Sequence, residues 1–351
     1  MTAIYSIPSR ISERHNFRSK PVNASAIKAV IPTYNDWDGM RITVESLLNL
    51  KTPPAKIAVA NDNPDPAPAW LADYEVEVIE YPGNLGPAQA RNRGFGLREG
   101  FPPKGGLSAI YEAIVLKRGL PDYARNGWAP ELRFNDTFAV PTEFRWESDI
   151  DWYYFTDCGC THHPDLFLEF EKAWRDCGDC CVAISGAVTG SGHGPINHYM
   201  TEQGILNPPL EKTVHGVYLP QAIVTANALI AALPFAYLGG FDPAFQEAAG
   251  EDLDMGIRLR ELGVIMWAPA ATAAHAFEES EPDFYKRFRR YGRGNRKLEM
   301  KHGLPCLRAR PFTAEKPELQ RLADLSLEAM QAGYDEAVDE SVRGVLKVLP
   351  D

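Results

Sequence analysis

Gly239-Gly240-Phe241-Asp242 is followed after a short interval by Gly250-Glu251-Asp252-Leu253-Asp254-Met255-Gly256-Ile257-Arg258-Leu259-Arg260. Leu253, Ile257, Leu259 and Leu262 recur at helical spacing, so a helix opens at Glu251 and turns an apolar face inward. Glu251 and Asp252 fall in its first turn, where free backbone N–H groups and the helix dipole stabilise anions. Taken alone, the pair reads either as an acidic cap on a surface helix or as carboxylates facing a cleft. In a cleft, a carboxylate so placed can take a proton from a hydroxyl.

Upstream of this stretch the chain alternates strand with helix. Residues 26–31 are a buried apolar run, followed by the loop Pro32-Thr33-Tyr34-Asn35-Asp36. A helical stripe through Ile42, Val44, Leu47, Leu48 and Leu50 ends before Pro53-Pro54. Residues 56–60 and 76–81 read as strands, with the turn-rich Asn61-Asp62-Asn63-Pro64-Asp65-Pro66 between them. A glycine-bearing loop then leads into a helix over 86–97. The alternation resumes with a buried strand over 152–156 running into Asp157, a helix over 166–174 and a strand over 182–185. Such alternation predicts an α/β fold with a mostly parallel sheet and ligands at the carboxyl ends of its strands.

Three segments break the rhythm. Residues 1–25 are polar and aperiodic, and read as an arm. Residues 98–149 begin rich in Gly and Pro and end aromatic (Trp128, Phe134, Phe138, Phe144, Trp146), and read as an insertion. Residues 301–351 carry a loose stripe through Leu319, Leu322, Leu325 and Met330, and read as a helical tail. The main domain is accordingly placed at 26–300.

The 351 residues carry 36 Lys+Arg against 47 Asp+Glu, a formal charge of −11. That balance argues against nucleic acid or an anionic membrane as the main partner. The start, Met1-Thr2-Ala3-Ile4-Tyr5, lacks a basic region followed by an apolar core, so no signal peptide is read. The apolar run over 222–238 is broken by Thr225, Asn227 and Pro234, so no integral membrane segment is read. Six cysteines make no disulfide framework in a chain of this length, and a cytoplasmic location is expected. Cys158, Cys160, His162, His163, Cys177 and Cys180 include enough soft ligands for a structural zinc, but a continuous helix separates the two groups. Buried thiols are the competing reading.

Four motifs in order carry a family resemblance: Ile31-Pro32-Thr33-Tyr34-Asn35, Val59-Ala60-Asn61-Asp62, Asn84-Leu85-Gly86-Pro87-Ala88-Gln89-Ala90-Arg91-Asn92 and Phe155-Thr156-Asp157. They resemble the nucleotide-sugar half of family 2 glycosyltransferases of the GT-A fold. The 239–260 stretch is similar to the acceptor half of those enzymes and to the galactosyltransferase C-terminal module. The resemblance implies a mixed sheet flanked by helices, with the insertion and the helical tail appended. It also implies transfer of a sugar from a nucleoside diphosphate, the donor being UDP-linked, to a carbohydrate or other hydroxyl-bearing acceptor.

By the same resemblance, Pro32, Thr33, Tyr34, Asp62, Gly86, Arg91 and Asp157 would bind the donor. Asp62 would accept a hydrogen bond from the base, although a plain turn residue fits the same cluster. Arg91 would face base or phosphate, unless it is a solvated helix residue. Asp157 and His275 would hold Mn²⁺ or Mg²⁺, unless His275 is a satisfied buried histidine. Glycine at 159 replaces the second carboxylate of the Asp-X-Asp pattern. Arg289, Arg290 or Arg293 could stabilise the leaving group without a metal. Asp252 would be the general base of an inverting transfer, with Glu251 on the acceptor. A non-catalytic nucleotide- or carbohydrate-binding module on the same fold is the alternative. No Gly-X-Gly-X-X-Gly follows the first strand, which argues against a dinucleotide-dependent oxidoreductase.

Overall fold

The computed structural model describes residues 18–81, 84–96, 147, 149–213, 216–303 and 316–346, with side chains only to 337 in the last segment. The expected arm, nearly all of the 98–149 insertion with its five aromatics, and the two ends of the tail lie outside these residues.

The chain order is β1 (Ile27–Thr33), α1 (Trp37–Leu48), β2 (Lys56–Asn61), β3 (Glu77–Glu80), α2 (Pro87–Phe95), β4 (Trp152–Thr156), β5 (Cys160–His162), α3 (Leu166–Cys177) and β6 (Cys181–Gly190). There follow α4 (Pro195–Glu202), β7 (Leu210–Lys212), β8 (Tyr218–Pro220), β9 (Asn227–Ala231), α5 (Ala232–Tyr237), α6 (Glu251–Arg260), β10 (Val264–His275), α7 (Glu281–His302) and α8 (Pro317–Leu346). Eight strands form one sheet in the order β3-β2-β1-β4-β9-β6-β10-β5. β1 is parallel to β2 and β4, and β6 to β10, whereas β9 runs antiparallel to both β4 and β6. This is the mixed α/β sheet, flanked by helices, that the resemblance implies.

Period-two alternation sorts the central strands between two cores. Ile27, Ala29, Ile31, Trp152 and Tyr154 pack with Met40, Val44, Leu47, Phe167 and Phe170 of α1 and α3. Val30, Tyr153 and Phe155 pack on the other face with Phe95, Phe235, Phe241, Met255 and Leu259. A third core joins α4, α7 and α8 through Tyr199, Phe284, Phe288, Leu319 and Leu322. The apolar stripe expected of the tail is therefore a packed face.

Two antiparallel pairings restore direction, so β4 and β6 point the same way, as do β1, β2 and β10. Asp62, Asp157 and His275 thus emerge at one edge of the sheet. Because β9 is reversed, its amino end and the preceding Thr225 lie there too.

Several boundaries differ from the sequence expectation. α1 starts at Trp37, because the Asp36 side chain accepts from the Gly39 N–H and caps the helix there. β6 is longer than 182–185. β9 and β10 were not foreseen as strands; β10 carries Pro269 in an alanine-rich run, which the sheet absorbs at a register shift between Ala268 and Thr272. α7 crosses the boundary expected at 300. No helix among the described residues is long and apolar enough to cross a membrane.

Candidate active site

Arg91 is the centre of the site. Its guanidinium, 5% exposed, donates from Nη2 to Asp157 Oδ1 and from Nη1 to Glu251 Oε1, both at 2.8 Å. The loop after β4 and the first turn of α6 therefore meet on one side chain. The neighbouring Asn92 makes a second link: its amide donates to the Phe241 carbonyl and accepts from the Phe241 N–H, each at 2.8 Å. The Arg-Asn pair of α2 thereby holds both halves of the 239–260 stretch. Sequence reading had aimed Arg91 at the donor and had not singled out Asn92.

The three acidic residues of α6 face different surroundings. Glu251 is buried and its Oε2 has no hydrogen-bond partner among the described residues. Burial, and then the adjacent Asp252, pushes its carboxyl well above the usual carboxylate range, with Arg91 opposing. Asp252 is half-buried; Oδ1 accepts from the Leu253 N–H at 2.8 Å and Oδ2 from the Thr225 N–H at 3.4 Å. Burial raises its pKa too, Arg91 pulling it down and the charge of Asp157 adding to the rise. Asp254 points the other way and is saturated. Arg258 Nη2 lies 2.8 Å from its Oδ2; Lys301 and His302 lie 2.5 and 2.8 Å from its Oδ1. Arg258 also donates to the carbonyls of Leu238 and Gly240, and Lys301 pairs with Asp242 at 2.6 Å. That network fixes the Gly-Gly-Phe-Asp turn to α6 and α7.

At the end of β4, Asp157 is 33% exposed, and its loop is tied down by Thr43 Oγ1 donating to its carbonyl at 3.1 Å and by the Gly159 N–H donating to the Gly39 carbonyl at 2.9 Å. Gly159 sits at φ +78°, and a Cβ there would meet no atom within 4 Å. The missing second carboxylate thus reflects residue type and not crowding. His275 donates from Nδ1 to the Ala276 carbonyl at 2.8 Å, since a carbonyl only accepts, so Nδ1 carries the proton and Nε2 keeps its lone pair. Its ring stacks on Phe277, and burial lowers its pKa against the pull of Asp157.

Asp62 is buried and spends both oxygens on the chain itself, accepting from the N–H groups of Leu85 and Gly86 at 2.8 and 2.9 Å. It ties the loop before α2 to the end of β2. Gly86, at φ +86°, approaches protein: a Cβ there would lie 2.0 Å from the Gln246 carbonyl oxygen. Thr33 is buried and its carbonyl accepts from the Asp62 N–H at 2.9 Å, whereas Tyr34 is 50% exposed at the mouth of the loop. Cys158 Sγ lies 3.3 Å from the Pro32 carbonyl.

The basic run of α7 is committed elsewhere. Arg289 pairs with Glu336, Arg293 with Glu247 and Glu336, and Arg290 donates to the Ala248 carbonyl. Arg287 is the member whose charge bears on His275, and Glu279 already holds it in a bidentate pair. No zinc set forms either: Ser46 and Thr156 hydroxyls occupy both ring nitrogens of His162 at 3.0 Å, and burial pushes its pKa down to about 3.

Residues 28–97 match the profile of glycosyl transferase family 2. The matched segment resembles that family over about a fifth of the chain. It contains β1, β2, β3 and α2, and hence Thr33, Asp62, Gly86 and Arg91; Asp157 and the α6 carboxylates lie beyond it. Among solved structures the chain is similar to the mannosyltransferase PcManGT from Pyrobaculum calidifontis in complex with GDP-Man and Mn²⁺, at 11% identity, covering 97% of this chain and 81% of that one, with a TM-score of 0.45. It is also similar to GalNAc-T7 with UDP, GalNAc and Mn²⁺ (13% identity, 95% and 58% covered, TM-score 0.43) and to S. aureus TarS 1-349 (10%, 88% and 72%, 0.41). No curated protein matches the chain.

Proposed function

We propose that this protein transfers a sugar from a nucleoside diphosphate, UDP-linked, to an acceptor hydroxyl, with Asp252 as general base and inversion at the anomeric carbon. One observation carries the reading: Arg91, inside the family 2 segment, joins Asp157 on the donor side to Glu251 beside Asp252. An acceptor hydroxyl is a weak nucleophile, and a half-buried carboxylate with a raised pKa is a better proton acceptor than a solvated one. Asp252, held by two backbone N–H groups, takes the hydroxyl proton as the C–O bond forms. Glu251 accepts a hydrogen bond from the acceptor through its free Oε2. Arg91 keeps the two carboxylates in register and limits their mutual repulsion. Tyr34 offers an exposed ring against which the base can stack.

The donor set fits Mn²⁺ or Mg²⁺ only in part. Among the described residues no group of three or more His, Cys, Asp or Glu could hold an ion. Asp157 Oδ2 and His275 Nε2 are two suitable donors, and diphosphate oxygens and water would complete six positions. A bound ion would supply charge compensation to the departing diphosphate.

Thermal unfolding with UDP, GDP, dTDP and CDP, with and without Mn²⁺, tests the donor assignment, because a ligand of the native state raises apparent stability. UDP should give the largest rise, increased by Mn²⁺; no rise with any nucleotide would refute the reading. Release of nucleoside diphosphate without acceptor separates a transferase from a binding module, which should release none.

A further inference from the structure

Three of the six cysteines, Cys177, Cys180 and Cys181, gather at the far edge of the sheet. Cys177 ends α3, Gly178 reverses the chain at φ +78°, and Cys180 closes a short turn before Cys181 begins β6. The amino end of β6 lies opposite the edge that carries Asp157. Cys177 Sγ and Cys180 Sγ are 3.2 Å apart, with Cys180 exposed and Cys177 half-buried. Cys181 is buried and turns its Sγ to the Ala183 carbonyl at 3.4 Å. Cys158 and Cys160 sit in the core of the donor loop, where burial pushes both thiols up, Cys160 to about 12. Two thiols in contact at an exposed turn, separated by a glycine and an aspartate, form a dithiol and not a packing pair.

We propose that Cys177 and Cys180 are a redox modification site: they close to a reversible intramolecular disulfide on meeting a low-molecular-weight disulfide. Cys177 is the attacking group, since the neighbouring Cys181 and Cys180 thiols favour its thiolate over the cost of burial and bring its pKa down to about 7. Its thiolate attacks one sulfur of the small disulfide, the S–S bond breaks, and one small thiolate leaves. Cys180 then gives its proton to solvent and attacks Cys177 Sγ, expelling the second small thiolate. Two protein thiols are oxidised and one small disulfide is reduced to two thiols. The turn so closed also anchors residues before β1: the Ser19 N–H donates to the Asp179 carbonyl at 2.8 Å, and Arg18 pairs with the Asp179 carboxylate.

The test incubates the full chain with oxidised glutathione, alkylates what remains, and reads intact mass and peptide maps. The wild type and Cys181→Ser should each lose two hydrogens with both sulfurs mapped to 177 and 180, reversibly with dithiothreitol. Cys180→Ser should stop at a glutathione adduct on Cys177. Cys177→Ser should react roughly tenfold more slowly, having lost the favoured thiolate. Closure in Cys180→Ser as complete as in the wild type would reassign the partner to Cys181. A wild type that only accumulates glutathione adducts would overturn the proposal.

Discussion

The two faces of α6 carry carboxylates only a few residues apart, and the protein treats them in opposite ways. Asp254 is enclosed by Arg258, Lys301 and His302, which hold its carboxyl far below the ordinary range against the cost of burial. Glu251 shares Arg91 with Asp157 and keeps one oxygen unpartnered, so burial wins and its carboxyl rises. Satisfied charge builds a scaffold; under-satisfied charge comes at some expense in stability, and carboxylates shifted in this way concentrate at functional sites.

Breaking each face in turn should separate the two. Asp252→Asn should lower the transfer rate by about 10²–10⁴-fold while donor affinity stays constant, measured by single-turnover kinetics beside a binding titration. Asp254→Asn should do the reverse: it removes the anion shared by Arg258 and Lys301 and costs about 3–5 kcal/mol in denaturant unfolding. Its transfer rate per folded molecule at low temperature should stay near the wild-type value.

The opposite shifts also give opposite pH dependences. A depressed Asp254 contributes stability that is present above its unfolded value of about 4 and is lost as pH falls below it. Raised Glu251 and Asp252 bind protons more tightly in the folded state, so their contribution declines as pH rises from about 4 through the raised values. Unfolding midpoints measured against pH should therefore show a maximum, and Asp254→Asn should flatten only the acid limb. The transfer rate should climb over the window in which Asp252 ionises, above the usual carboxylate range.

The smallest effect concerns the donor loop. Gly159→Asp restores a second carboxylate at a position with open space, and the positive φ costs about 1 kcal/mol of stability. Mn²⁺ affinity, read by calorimetry, should rise in this variant; an unchanged value would place the ion elsewhere.

The amino-terminal half of the fold was legible because its motifs follow the strand ends. The run over 26–31 is apolar but for Lys28, which marks a central parallel strand, and Asp62 and Asp157 follow strands that end at a shared edge. The opening of α6 at Glu251 could likewise be read from its period and its glycine. What escaped was long-range. Nothing near Arg91 in sequence announces two carboxylates, 66 and 160 residues away, as its partners. Nor does Asn92 advertise a clamp on Phe241. β10 escaped because alanines and a proline outvote its strand character, which only pairing with β6 supplies. Nor does the sequence record that backbone N–H groups of the loop before α2 reach Asp62.

Release of nucleoside diphosphate from a panel of UDP-, GDP- and dTDP-sugars, at saturating donor and compared between wild type and Asp252→Asn, tests the shared crevice most directly. The account predicts turnover of one donor class by the wild type and a loss of about a hundredfold or more in the variant, with donor still bound. Equal release by the two proteins, or none by either, would contradict it.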